Sequence, residues 1–362
     1  MKGFLAVGPL IGKFSVTEAA ILGIFRTMKS KPATEELHTE LNQLVSTPSG
    51  RRSFLKALPF LLAACGSPSR HRYREGDNTG QETRLTVEDE RRMTKEFLPQ
   101  MQKEFPPLKD SGLQKYVSQL GEEVVVANGL EANPYYYEFG VVETKMVNAF
   151  ALPAGTVFVT APLIAMAETE AELAGVVGHE VGHVQARHTA ERIDRMERQR
   201  TRNLLTTLGS AILGAGAGFG LAQLICPPRD RECVAKVSAA GAGVGAGASL
   251  MIQQFAFMAH SREDEMEADR IGFRTSVQAG FDRKRVGDFY EKLYEMERAR
   301  NQQRLPILST MADAMSTHPP SRERVQQMKK LAAEEPSSNG RVSSREFENA
   351  KDRATEIMKK KA

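Results

Sequence analysis

Cysteine is scarce in this chain, with three in 362 residues, at positions 65, 226 and 233. So few exclude a disulfide-stapled scaffold and leave one pair at most. Cys226 and Cys233 flank the turn-rich run Pro227-Pro228-Arg229-Asp230-Arg231-Glu232, so they stand either as a bridge across that loop or as two free thiols at its tip. An excess of one charge is also missing: 49 Lys and Arg against 45 Asp and Glu leave a net +4, with no concentrated basic footprint for nucleic acid. No glycine-rich phosphate loop is present, because the glycine runs alternate with alanine inside apolar stretches. The apolar run 57–64 is too short to span a bilayer. The uncharged Gly/Ala-rich segments 204–225 and 237–259 are long enough, but their hydrophobicity is weak and the mean hydropathy of the chain is -0.37. A soluble helical hairpin covering a cleft is therefore expected for 204–259, with a membrane-inserted hairpin as the competing reading.

Against these absences stands one concentrated motif, His179-Glu180-Val181-Gly182-His183. On a helix, residues four apart share a face about one turn apart, so both imidazoles can reach one metal ion. Glu180 then lies beside the open position, where a carboxylate accepts a proton from a water that the metal activates. The flanks fit a buried helix: Leu173, Val176, Val177, Val181 and Val184 follow helical spacing, and Thr169 with Glu172 forms a capping-box pattern at its start. A zinc hydrolase needs a third protein ligand. Glu265 and Asp269 are four apart on a downstream helix, so one can bind metal while the other accepts a hydrogen bond from a ligand histidine's far nitrogen. Glu263, Asp264 and Glu267 read as a solvated helix face. His188 reads as a helix-face or hydrogen-bonded structural residue, and His260 as a residue that caps or packs the next helix.

These motifs resemble the CAAX-prenyl-protease-like family of zinc metallopeptidases, which includes bacterial envelope and mitochondrial members. Met146 to Thr160 is similar to the family's strand and turn ahead of the HExxH helix. Ser316-Thr317-His318-Pro319-Pro320 is similar to its late HP motif, with Arg324 six residues on from His318. Four motifs in order cover residues 85–330. The resemblance implies a gluzincin-like α+β fold, mainly α-helical, with a small β-sheet. It implies one zinc ion held by His179, His183 and Glu265, with Asp269 behind a ligand. It also implies a substrate-binding strand at Asn148, Ala149 and Phe150, where an unfolded or misassembled polypeptide can pair through its main chain. His318 and Arg324 are candidates for stabilising the oxyanion, and His318 also for a removable fourth ligand.

The chain's destination is written upstream. Arg51-Arg52-Ser53-Phe54-Leu55-Lys56 matches a twin-arginine signature, and Leu62-Ala63-Ala64-Cys65 resembles a bacterial lipoprotein cleavage box. The expected organisation is a leader over 1–64 and a lipid-anchored linker over 65–84. A zinc metallopeptidase domain follows over 85–334, with 204–259 inserted, then a linker and charged helix over 335–362. Lipidated Cys65 would hold the protein on a membrane facing the periplasm, and Gly66-Ser67 permits sorting to the outer membrane. Helices are expected over 85–105, 117–126 and 281–296, and strands over 135–142 and 156–160. No tetratricopeptide-like period follows the catalytic region, so repeat-mediated partner recruitment is not expected.

Overall fold

The computed structural model describes residues 35–64, 83–132, 134–213, 260–301, 317–336 and 340–361. Cys65, Cys226, Cys233 and the expected hairpin beyond residue 213 lie outside the described residues. Among those described, no helix is long and apolar enough to cross a membrane.

The described residues belong to two compact units. In the smaller, α1 (Glu35–Val45) and α2 (Pro48–Ala64) share a core of Leu37, Leu41, Leu44, Phe54 and Leu61, joined by Leu205 from the segment after residue 192. The basic pair Arg51 and Arg52 is exposed on α2, and the apolar run behind it is helical.

The larger unit begins with α3 (Val87–Glu104), started by a reciprocal capping box between Thr86 and Asp89, and α4 (Ser111–Ala127), capped by Asp110. Three short strands follow: β1 (Glu138–Val142), β2 (Ala149–Ala151) and β3 (Thr156–Thr160). Their order is β1-β3-β2, with β1 parallel and β2 antiparallel to β3. β2 is thus an edge strand. β1 starts at Glu138 rather than at 135, although the Tyr136 amide already donates to the Ala154 carbonyl.

Thr160 ends β3 and caps the short α5 (Ala161–Met166), which delivers the chain to α6 (Glu170–Gln185). Thr169 caps α6 by accepting from the Glu172 amide, while the Glu172 carboxylate accepts from the Glu168 amide instead of closing the expected box on Thr169. Every residue of α6 from Glu170 to Val184 is buried, as befits a helix packed on all sides. α7 (His188–Leu213) starts in the larger unit and from Ile193 onward belongs to the smaller one.

α8 (Arg262–Gln278) lies against α6 at unusually close range, and glycine makes this possible. A Cβ on Gly178 would sit 2.7 Å from the Gly272 carbonyl oxygen, and one on Gly272 would sit 2.6 Å from the His179 amide nitrogen. No side chain fits between the two backbones there, which brings Glu265 and Asp269 within reach of the α6 histidines. α9 (Asp288–Asn301) and α10 (Arg322–Glu334) complete the wall around them. α11 (Arg345–Lys361) was expected as an appendage beyond a linker. It is instead part of the core: Phe347, Ala350 and Ala354 pack with Leu113, Tyr116 and Leu163. Among the described residues the fold is α+β, mainly helical with one small sheet, as expected.

Candidate metal centre and active site

Four side chains converge between α6, α8 and the segment ahead of α10. His179 and His183 bring their Nε2 atoms to 2.9 Å from one another. Glu265 places Oε2 at 3.5 Å from His179 Nε2 and Oε1 at 3.3 Å from His183 Nε2. His318 adds Nδ1, 3.2 Å from His179 Nε2 and 3.1 Å from Glu265 Oε1. Zinc bonds of about 2.0–2.1 Å in a tetrahedron require donor atoms roughly 3.3 Å apart, so these spacings suit that ion. The far nitrogens argue the same way. Nδ1 of His179 lies 2.9 Å from Asp269 Oδ1, and Nδ1 of His183 lies 2.8 Å from His188 Nδ1. With a proton held on each far nitrogen, both histidines would turn bare Nε2 lone pairs toward each other, an arrangement that a cation between them stabilises. The residues present therefore fit zinc.

Electrostatics separate the two histidines: burial favours the neutral form of His179, but hydrogen bonds and charges from Asp269 and Glu265 outweigh it and raise that group to about 9, so a metal ion must displace a proton there. His183 is held well below the ordinary histidine range by burial and by neighbouring His179, so it stays neutral, as a ligand must. Glu265 is held well below the ordinary carboxylate range: burial opposes this, but the charges of His318 and Arg324 outweigh it. Asp269 is likewise held below the usual carboxylate range, because Arg324 overcomes the cost of burial.

Arg324 is 3 % exposed, and its donors are largely committed. Nε and Nη2 reach the two Asp269 oxygens at 2.8 and 2.7 Å, and Nη1 lies 2.8 Å from Glu265 Oε2 and donates to the Pro319 carbonyl. Its guanidinium stands over the ring of Tyr290. Glu180, 2 % exposed, points Oε1 to 3.4 Å from His318 Nε2. Beside it opens a small cavity lined by Asn148, Ala149, Leu163, Val176, Phe289 and Leu293, with His179, Glu180 and Tyr290 on its polar side. Asn148 accepts from the Thr317 hydroxyl through Oδ1, while its buried Nδ2 has no partner among the described residues.

All of His179, Glu180, His183, Glu265, Asp269, His318 and Arg324 meet here, with Asn148 and Ala149 along one side. Phe150 turns away into a separate cluster with Phe105 and Phe158. One expectation needs correction. Asp264 and Glu267 are not solvated: Asp264 closes a capping box with Ser261 at the start of α8, and Glu267 faces His188 at 3.3 Å. His188 is hydrogen-bonded and His260 packs at the entrance of α8, as expected, and both lie against the site: His188 Nδ1 meets His183 Nδ1, and His260 stacks on the His183 ring at 4.0 Å between centroids. Ser261 followed by Asp264 is a legible start signal for α8, and it places His260 at the helix entrance. Tyr290 carried no sequence signal.

Fold and site together are those of the HExxH class of zinc metallopeptidase domain. The chain belongs to peptidase family M48, whose sequence profile matches residues 111–332. It is similar to the β-barrel assembly-enhancing protease of Yersinia pestis, 28% identical over 253 residues, which are 68% of this chain and 46% of the relative. The Escherichia coli K12 protein of the same name is 28% identical over 252 residues, 69% of this chain and 46% of its own length. The mitochondrial metalloendopeptidase OMA1 of Arabidopsis thaliana is 32% identical over 188 residues, 52% of this chain and 30% of the relative. The chain thus spans less than half the length of these relatives.

Proposed function

We propose that the protein is a zinc-dependent metalloendopeptidase that cleaves misfolded or unassembled polypeptides of a bacterial cell envelope. The observation that carries this reading is Glu180 standing beside the convergent His179, His183 and Glu265 donors, next to the edge of β2 that no described strand covers. Zinc, held by those three residues, supplies Lewis acidity toward water and the scissile carbonyl. Glu180 accepts the proton of the attacking water and returns it to the leaving nitrogen. The Asn148 carbonyl accepts from Thr160 and the Leu152 amide donates to Thr156, so even-numbered residues of β2 face β3. Ala149 and Ala151 therefore present their main-chain groups to the free edge, where an extended substrate pairs regardless of its side chains. Asn148 Nδ2 is placed to donate to a substrate carbonyl. Arg324 is better suited to fixing Glu265 and Asp269 than to meeting an oxyanion, which leaves that role to His318.

The position of His318 also supports a gated form. Its Nδ1 stands where a fourth ligand would, and its Nε2 faces Glu180, so swinging it away would open the site. A chaperone-like assembly factor that rarely cleaves is the second reading, and this contact is what favours it. Purified full-length chain incubated with an unfolded polypeptide separates the two. Chelator-sensitive cleavage, lowered by Glu180→Gln about a thousandfold or more, is expected. A zinc-loaded protein with no chelator-sensitive cleavage would transfer support to the assembly factor.

We also propose, from the Arg51-Arg52 signature and the box ending at Cys65, that the mature protein is a lipoprotein on the periplasmic face, in the outer membrane. Metabolic labelling with a fatty acid should mark the wild type and not Cys65→Ser. Equal labelling of both would remove the anchor.

A further inference from the structure

We infer that His188 is the positioning residue for His183, and that Glu267 behind it completes an imidazole–carboxylate relay toward the metal. The inference rests on the zinc site and not on cleavage.

Proton counting fixes the direction. His183 Nδ1 and His188 Nδ1 lie 2.8 Å apart, so only one of them carries hydrogen. His183 offers Nε2 to the convergent donors, so a neutral His183 keeps its proton on Nδ1 and donates it to His188 Nδ1. His188 then carries its own proton on Nε2, which faces Glu267 Oε2 at 3.3 Å. This assignment leaves neither two protons nor two lone pairs opposed. Asp264 is farther off, with Oδ1 at 3.7 Å, and its other oxygen accepts from the Ser261 amide. His188 is 1 % exposed and Glu267 6 %, so water does not compete for either bond.

The backbone is shaped for this contact. Had α6 continued, a residue five positions after His183 would stand about 140° around the helix from it. Instead α6 is capped at Ala186, and Arg187 adopts a left-handed φ of 55° before α7 starts at His188. That conformation usually falls to glycine. Here an arginine holds it, with Nε donating to buried Glu90 at 2.6 Å and Nη2 to the Leu85 carbonyl at 2.5 Å. The turn swings His188 back beneath His183.

The test is zinc affinity of the full chain, by competition with a chromophoric chelator, alongside urea denaturation of the metal-free proteins and the visible spectrum of the cobalt-substituted ones. His188→Phe should weaken zinc binding about 10–100-fold, the usual cost of removing a ligand histidine's partner. His188→Asn, whose Oδ1 can stand in for the lost acceptor, should recover most of that loss. Glu267→Gln should weaken binding in the same direction by less, and the cobalt spectrum should shift in His188→Phe but not in His188→Asn. Wild-type zinc affinity in His188→Phe would overturn the relay. So would His188→Asn binding as weakly as His188→Phe, or, should His188→Phe not fold, binding ten times more weakly than wild type. A chain that binds zinc normally yet cleaves nothing would defeat the peptidase reading alone.

Discussion

His179 and His183 stand one turn apart on α6 and offer the same atom to the same point, but their far nitrogens meet different chemistry. His179 turns Nδ1 to a carboxylate, Asp269, which is fully buried and clamped by two bonds from Arg324. His183 turns Nδ1 to another imidazole, with a carboxylate one step further away. The first support is a dense charged network that includes Glu265 and ties α8 to α10. The second is neutral where it touches the ligand and depends on a backbone turn between α6 and α7. Disturbing α8 or α10 should therefore change charge balance at His179 and Glu265 together, whereas disturbing the α6–α7 turn should change only how His183 is aimed.

The largest expected effect comes from breaking the charged side. Asp269→Ala frees His179 Nδ1 and takes from Arg324 two of its bonds inside a buried site. Truncating one partner of such a pair costs on the order of 3 kcal/mol, more than any change on the neutral side should. Urea denaturation of the metal-free protein at neutral pH would measure it, and a loss no greater than that of His188→Phe would erase the contrast. The effect has a direction with pH. Asp269 has its pKa lowered in the fold from an ordinary 3.8, burial being outweighed by Arg324. Its contribution is therefore present above that value and disappears as pH falls through the lowered one, so the two proteins should converge in acid.

The two supports also differ in how visible they were in the chain. The charged one follows from helical spacing: Glu265 and Asp269 are four apart, and a helix of any register puts them on one face. The close glycines that seat this face against α6 carry no sequence signal, because Gly178 and Gly272 are far apart in the chain and become informative only once their helices are paired. The neutral support could not be read from spacing. His188 lies about one turn beyond His183 and so could approach the site, but nothing in Ala186-Arg187-His188 announces the left-handed residue that aims it there, since arginine rather than glycine occupies that position. Glu267 lies off the Glu265 face, which on a helix with one buried side would be solvated, but α8 is covered on two sides. A Pro-, Ser- and Gly-rich stretch over 336–344 reads as a linker that sets α11 apart, whereas Phe347, Ala350 and Ala354 pack into the main core. The sheet and the HExxH helix were legible, since alternation and a capped apolar run each carry their own signal.

The smallest effect tests whether the neutral support is indeed anchored through its turn. Glu90 holds Arg187 in its left-handed conformation, with Oε1 2.6 Å from Nε. Unlike Asp269, it has a pKa raised above its ordinary 4.5, because burial outweighs the attraction of Arg187. The folded state thus retains a proton there that the unfolded chain has released, and stability falls as pH rises from 4.5 through the raised value. Glu90→Gln lacks this titration. The stability advantage of wild type over the variant, both metal-free and measured in urea, should therefore shrink between pH 4.5 and 7, by no more than about 1.4 kcal/mol for each unit by which the pKa is raised. An advantage that widens over that interval would mean that the ion pair with Arg187 outweighs burial. The two carboxylates would then behave alike, and the turn beneath His183 would be as strongly charged a support as the network beneath His179.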